Sequence, residues 1–120
     1  MQLDWDQTSE VGVTTLDHLI ELYGMPAFCK LDVEDYELPA LLGLSQALPA
    51  LSFEFYPTTM NKAVACVDRL EELGSYRYTW SIAGTLQLAT DDWLAPAEMR
   101  RWLADYRGVR SGDVYARRRR

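Results

Sequence analysis

Phe28-Cys29-Lys30-Leu31-Asp32-Val33-Glu34-Asp35-Tyr36-Glu37 opens as an apolar strand and closes with four carboxylates within ten residues. Strand side chains alternate from face to face, so Asp32 and Glu34 point to the same side of the chain. In a parallel α/β sheet, ligands sit just beyond the carboxyl ends of the strands. Carboxylates at that edge can hold a metal, take a proton from a hydroxyl, or grip sugar hydroxyls. The same run also suits a plain solvated helix start, because acidic side chains are favoured by the dipole at a helix N-terminus.

Outward from this stretch, the chain alternates strand and helix. Upstream, Thr14 or Thr15 can cap a helix carrying Leu16, Leu19, Ile20 and Tyr23 at helical spacing, and Gly24 ends it with Pro26 just beyond. The first strand covers residues 28–33. Residues 36–42 read as a short helix with an apolar face of Leu38, Leu41 and Leu42, and Pro39 fits only in its first turn. A second strand covers residues 50–56 and stops at Pro57. Thr58 or Thr59 then caps a longer helix that turns Met60, Ala63, Val64, Val67 and Leu70 inward and closes at Gly74. Residues 76–82 form a third strand, and Gly84 turns the chain into a hairpin return over 85–89. Pro96 opens a last helix with Met99, Trp102, Leu103 and Tyr106 on one face, and residues 113–116 close the chain as a strand. This alternation predicts an α/β fold with a largely parallel sheet.

The 120 residues allow one modest domain, with 48% apolar and 25% charged residues. No apolar run approaches the roughly 20 residues that span a bilayer. The acidic start, Met1 to Asp6, has no signal-peptide core, so a cytoplasmic location is expected. The formal charge is −6, but residues 117–120 are all arginine; without them 8 basic residues face 18 acidic ones. Such a body repels phosphate backbones, which argues against nucleic acid as a partner. The arginine run reads as a frayed terminus, as do residues 1–10. Cys29 and Cys66 match no metal or redox spacing and read as buried thiols. His18 is the only histidine, and it reads as a helix-surface residue rather than a metal ligand.

Thr14-Thr15-Leu16-Asp17, the stretch 28–37 and Leu51-Ser52-Phe53-Glu54-Phe55 together resemble the later half of FkbM-type methyltransferases. That family carries a K-[IL]-D-V-E-G-x-E signature after a threonine-leucine-aspartate helix; here it reads Lys30-Leu31-Asp32-Val33-Glu34-Asp35-Tyr36-Glu37. Leu73-Gly74, Trp93 and the segment Ser111-Gly112-Asp113-Val114-Tyr115-Ala116-Arg117 extend the likeness. Asp35 departs from the signature glycine. A side chain there either narrows a pocket or serves as a helix cap.

The resemblance implies a Rossmann-like sheet that moves a methyl group from S-adenosylmethionine to a hydroxyl of a sugar or natural product. The glycine-rich cofactor loop of that fold follows its first strand. None of the seven glycines of this chain forms a GxGxxG or Walker-type loop. The chain therefore reads as the C-terminal portion of such a sheet, with its fourth to seventh strands. The last strand is expected antiparallel between the second and third strands of this chain. A fragment of that kind is expected to be inactive by itself.

By the resemblance, Asp32 and Glu34 are the candidates for handling the acceptor proton, with Lys30 beside them. Glu37 orients the loop or meets the acceptor. Glu54, flanked by Phe53 and Phe55, either pairs with Lys30 or an arginine or meets the substrate. Tyr56 and Trp80 line a pocket or pack in the core. A non-catalytic half-domain that dimerises through an exposed sheet edge, or pairs with another chain, is the competing expectation. A metal-dependent hydrolase built on Asp32, Glu34 and Glu54 ranks last, because no nucleophile or phosphate loop accompanies the carboxylates.

Overall fold

A computed structural model describes residues 15–31, 37–85 and 87–119. In chain order they form α1 (Leu16–Tyr23), β1 (Cys29–Leu31), α2 (Glu37–Leu42), β2 (Ala50–Phe55), α3 (Met60–Leu73), β3 (Tyr76–Ile82), α4 (Pro96–Asp105) and β4 (Gly112–Arg118). The strands make one mixed sheet in the order β1-β2-β4-β3. β1 and β2 are parallel, and β4 runs antiparallel to both β2 and β3. β3 therefore runs with β1 and β2, and the last strand is inserted between its neighbours as the sequence predicts. Leu31, Phe55 and Ile82 end the three co-directional strands at one edge of the sheet.

Register explains the core. Leu31, Phe53, Val114 and Trp80 stand in one row across the four strands, and Cys29, Leu51, Ala116 and Tyr78 in the next. This face looks toward the helices: Trp80 stacks on Trp102 of α4 at 4.0 Å, and Phe55 meets Trp102 and Tyr106 edge-on at 5.6 and 5.4 Å. α3 packs against both α2 and α4. Cys29 and Cys66 are both buried, as expected for apolar thiols. The buried tyrosine hydroxyls are satisfied: Tyr76 donates to the Leu48 carbonyl at 2.6 Å and Tyr78 to the Glu71 carboxylate at 2.7 Å. Burial pushes both phenols up from their ordinary value, Tyr76 to about 12.

The helix ends show what holds the layers in place. Thr15 caps α1 by accepting from the His18 N–H, and Leu16 is fully buried. Asp17 accepts from the Ser45 N–H at 2.8 Å, which ties α1 to the loop after α2. The described part of the threonine-leucine-aspartate motif is thus a cap, a core anchor and a tether. Arg69 of α3 donates to the carbonyls of Leu41 and Leu44 at 3.1 and 2.6 Å. A cation there suits the negative end of the helix dipole and fastens α2 to α3.

Several expectations change. Leu42 is 59% exposed, and α2 instead buries Glu37, Ala40 and Leu41. Three-to-four-residue spacing allows either face, and the position of α3 decides between them. No threonine side chain caps α3; a 3-10 turn over Pro57–Thr59 leads into it. The return after Gly84 makes no second strand among its described residues. It touches the β3 edge at Ala89, whose N–H donates to Trp80, and at an isolated Tyr78–Leu94 bridge. Gly84 itself has φ 88°, the left-handed region that this turn requires. The arginine run does not fray at its start: Arg117 and Arg118 belong to β4, and the Arg119 N–H donates to Ser75. His18 lies on the exposed side of α1, as expected. No helix of the described residues is long and apolar enough to cross a membrane.

Candidate functional site

The carboxyl edge of the co-directional strands holds a shallow cavity of about 10 Å³, lined by Glu37, Glu54, Tyr56, Thr59, Lys62 and Cys66 among others. That volume is about the room of one water molecule. Glu37 comes from the first turn of α2, Glu54 from the penultimate position of β2, and Tyr56 from the turn that follows it. The structure thus brings together the three residues that the sequence reading assigned to the acceptor. Asp32 and Glu34, the two expected catalytic carboxylates, lie outside the described residues, as does Asp35. They occupy the link between β1 and α2, whose described ends are Leu31 and Glu37.

Glu37 is only 5% exposed, an uncommon position for a carboxylate. α2 places it there because Arg69 holds the far end of the helix and Ala40 and Leu41 fill the space below. Burial, and then the Glu37 carboxylate beside it, push the Cys66 thiol up to about 12. Cys66 therefore stays protonated at neutral pH and does not act as a nucleophile.

Three contributors escaped the sequence reading. Lys62, in no motif of the sequence, lines the same cavity as Glu37 and Glu54. Thr59, taken only for a cap, is part of the lining. Asp113 stands directly across from Glu54 in the β2–β4 register, and Ser81 stands across from Asp113. Directly opposed residues keep their Cβ atoms about 5 Å apart, so two carboxylates share one face here. Only the strand order reveals that pairing. Trp80, the other aromatic candidate, packs on α4 and not in the cavity.

The arrangement can position and deprotonate a hydroxyl. Several carboxylates and an ammonium at the end of a sheet supply acceptors, a proton sink and a compensating charge. It is not, however, a cradle for the S-adenosylmethionine that the sequence resemblance implies. The cavity holds about 10 Å³, against a few hundred for a ligand of that size. Nor do Gly43 and Gly112 leave an opening for it. A side-chain carbon at Gly112 would run into the Ser81 carbonyl and the Phe55 ring, and one at Gly43 would press on Thr15. The chain's own atoms fill those places, so the acidic cavity and its surroundings do not fit the cofactor.

The sequence model of the methyltransferase FkbM domain matches residues 2–108. No match was found among curated proteins or solved structures. A match over that much of the chain, together with a mixed α/β sheet whose acidic cavity lies at the strand ends, makes this chain a member of the FkbM methyltransferase domain family.

Proposed function

We propose that the chain forms the acceptor side of an S-adenosylmethionine-dependent O-methyltransferase acting on a hydroxyl of a sugar or natural product. The observation that carries this reading is the convergence of Glu37, Glu54 and Tyr56 on one cavity at the carboxyl edge of the sheet. Asp32 and Glu34 take the acceptor proton, Glu37 and Glu54 accept hydrogen bonds from the single hydroxyl that the cavity has room for, and Tyr56 closes the side of the pocket. Proton removal by a placed carboxylate contributes roughly 10²–10⁴-fold in rate. The buried thiols suit a reducing compartment, and we place the chain in the cytoplasm.

The donor does not bind to the described residues. No glycine-rich donor loop is found among the described residues, and the described portion is inactive by itself. A second reading draws on the same misfit: the chain acts as a non-catalytic half-domain that pairs with a chain bearing the donor site.

Calorimetric titration with S-adenosylmethionine tests both. The expected result is no saturable binding to the 120-residue chain at millimolar donor. Binding appears when the chain is joined to, or mixed with, a segment that carries a strand and a glycine-rich turn. Micromolar binding to the 120-residue chain alone would place the donor cradle within it and overturn the fragment reading. Binding in the completed protein without transfer to any hydroxyl acceptor would favour the non-catalytic reading.

A further inference from the structure

At the opposite end of the sheet lies an open groove of about 560 Å³, lined by Pro49, Arg77, Arg117, Arg118 and Arg119. It gathers four of the twelve basic residues of a chain that carries eighteen acidic ones. The register creates it. Arg77 of β3 stands directly across from Arg117 of β4, on one face. Like charges directly opposite each other destabilise a sheet, so the pair lacks a purely structural rationale.

The fold also holds the backbone of the run, and one of its side chains, instead of letting it fray. The Arg117 guanidinium sits over the Trp93 ring, 4.3 Å from its centroid. The Arg118 N–H donates to Pro49 at 2.8 Å, and the Arg119 N–H to Ser75 at 2.7 Å. Among the described residues, none of the four arginines is paired with a carboxylate. The described ion pairs use Arg69 with Glu72 and Arg100 with Asp68 instead.

We propose that this groove binds a compact ligand bearing two or more phosphate groups, taken between Arg77 and Arg117 on one side and Arg118 and Arg119 on the other. The guanidinium fork matches phosphate oxygens two at a time, and several such groups in one groove favour clustered phosphates over a single one. The volume falls in the usual range for small-molecule sites, roughly 300–1,000 Å³. The acidic remainder of the chain disfavours an extended polyanion, which would have to cross it. This site stands apart from the acceptor cavity and does not depend on the methyltransferase reading.

The test is titration of the full chain with pyrophosphate at low and at physiological salt, beside flotation with phosphatidylcholine vesicles carrying a phosphoinositide. Saturable pyrophosphate binding that weakens as salt rises assigns the site to a soluble ligand. Binding to the vesicles without binding of pyrophosphate assigns it to a lipid headgroup. Either outcome supports the groove, provided that the double substitution Arg77→Gln with Arg117→Gln weakens it at least about tenfold, the loss of one charge-assisted contact. Melting of each variant checks the fold. Should that pair unfold, Arg118→Gln with Arg119→Gln at the exposed strand end serves in its place. No binding to either probe, or binding that the substitutions leave unchanged, overturns the proposal.

Discussion

The two ends of this sheet differ in charge, in packing and in origin. At the carboxyl end, Glu37, Glu54, Tyr56 and Cys66 crowd into a cavity with room for about one water, walled by Phe55 and backed by Trp102 and Tyr106. At the amino end, four arginines border an open groove with far more space and little apolar support. The acidic end is part of the core and cannot be altered without cost to stability. The basic end, with Arg77 half-buried and Arg117 to Arg119 exposed, lies outside the core. A single sheet thus separates positive and negative charge along its strands.

If the carboxyl end is structural as well as functional, Phe55→Ala should cost the most, about 3–5 kcal/mol for a buried phenylalanine. Urea unfolding measures it, and a loss below about 1 kcal/mol would show that the aromatic wall is not integral.

Next comes alkaline pH. Burial holds the Cys66 thiol up to about 12 in the folded chain against an ordinary 9.0, so the folded state keeps a proton that the unfolded chain releases. Its contribution is whole below pH 9 and declines by about 1.4 kcal/mol per pH unit until the folded value is reached. Cys66→Ala should flatten the stability profile between pH 9 and 10, before the tyrosines join. An unchanged slope would place the thiol in contact with solvent.

Gly112→Ala costs less than Phe55→Ala, about 1–3 kcal/mol, because the added methyl meets the Ser81 carbonyl and the Phe55 ring. A melting temperature equal to that of the parent would mean that β4 shifts freely at this end.

The smallest effect belongs to the other end. Arg77→Gln should change stability by less than about 1 kcal/mol, and in the stabilising direction, since it removes one of two opposed like charges. A marked loss would make the arginine pair part of the fold and erase the contrast.

Much of this architecture is legible in the sequence. Pro57 and Pro96 mark their helix starts, Gly24 and Gly74 their ends, and the aromatic run before Pro57 marks β2. The inserted last strand follows from the family resemblance rather than from any local pattern, because strand order is a property of distant pairing. For the same reason Asp113 was invisible as a neighbour of Glu54, and Arg77 as a neighbour of Arg117. The face of α2 was misjudged because a helix of six residues carries too little periodicity to fix its rotation. Arg69 settles that rotation from a distance, by bonding to carbonyls 25 and 28 residues earlier. The arginine tail read as solvent-exposed charge because repetition carries no strand signal, while its backbone pairing with Pro49, Tyr76 and Arg77 does.

The most direct test of the central claim is transfer of a labelled methyl group to a hydroxyl acceptor by the chain supplied with a donor-binding segment, with and without Glu54→Gln. At saturating donor and subsaturating acceptor, turnover should fall about tenfold in the variant, the loss of one charge-assisted hydrogen bond to the acceptor, while donor affinity stays unchanged. Equal turnover in the two proteins would contradict the assignment of the carboxyl end as the acceptor site.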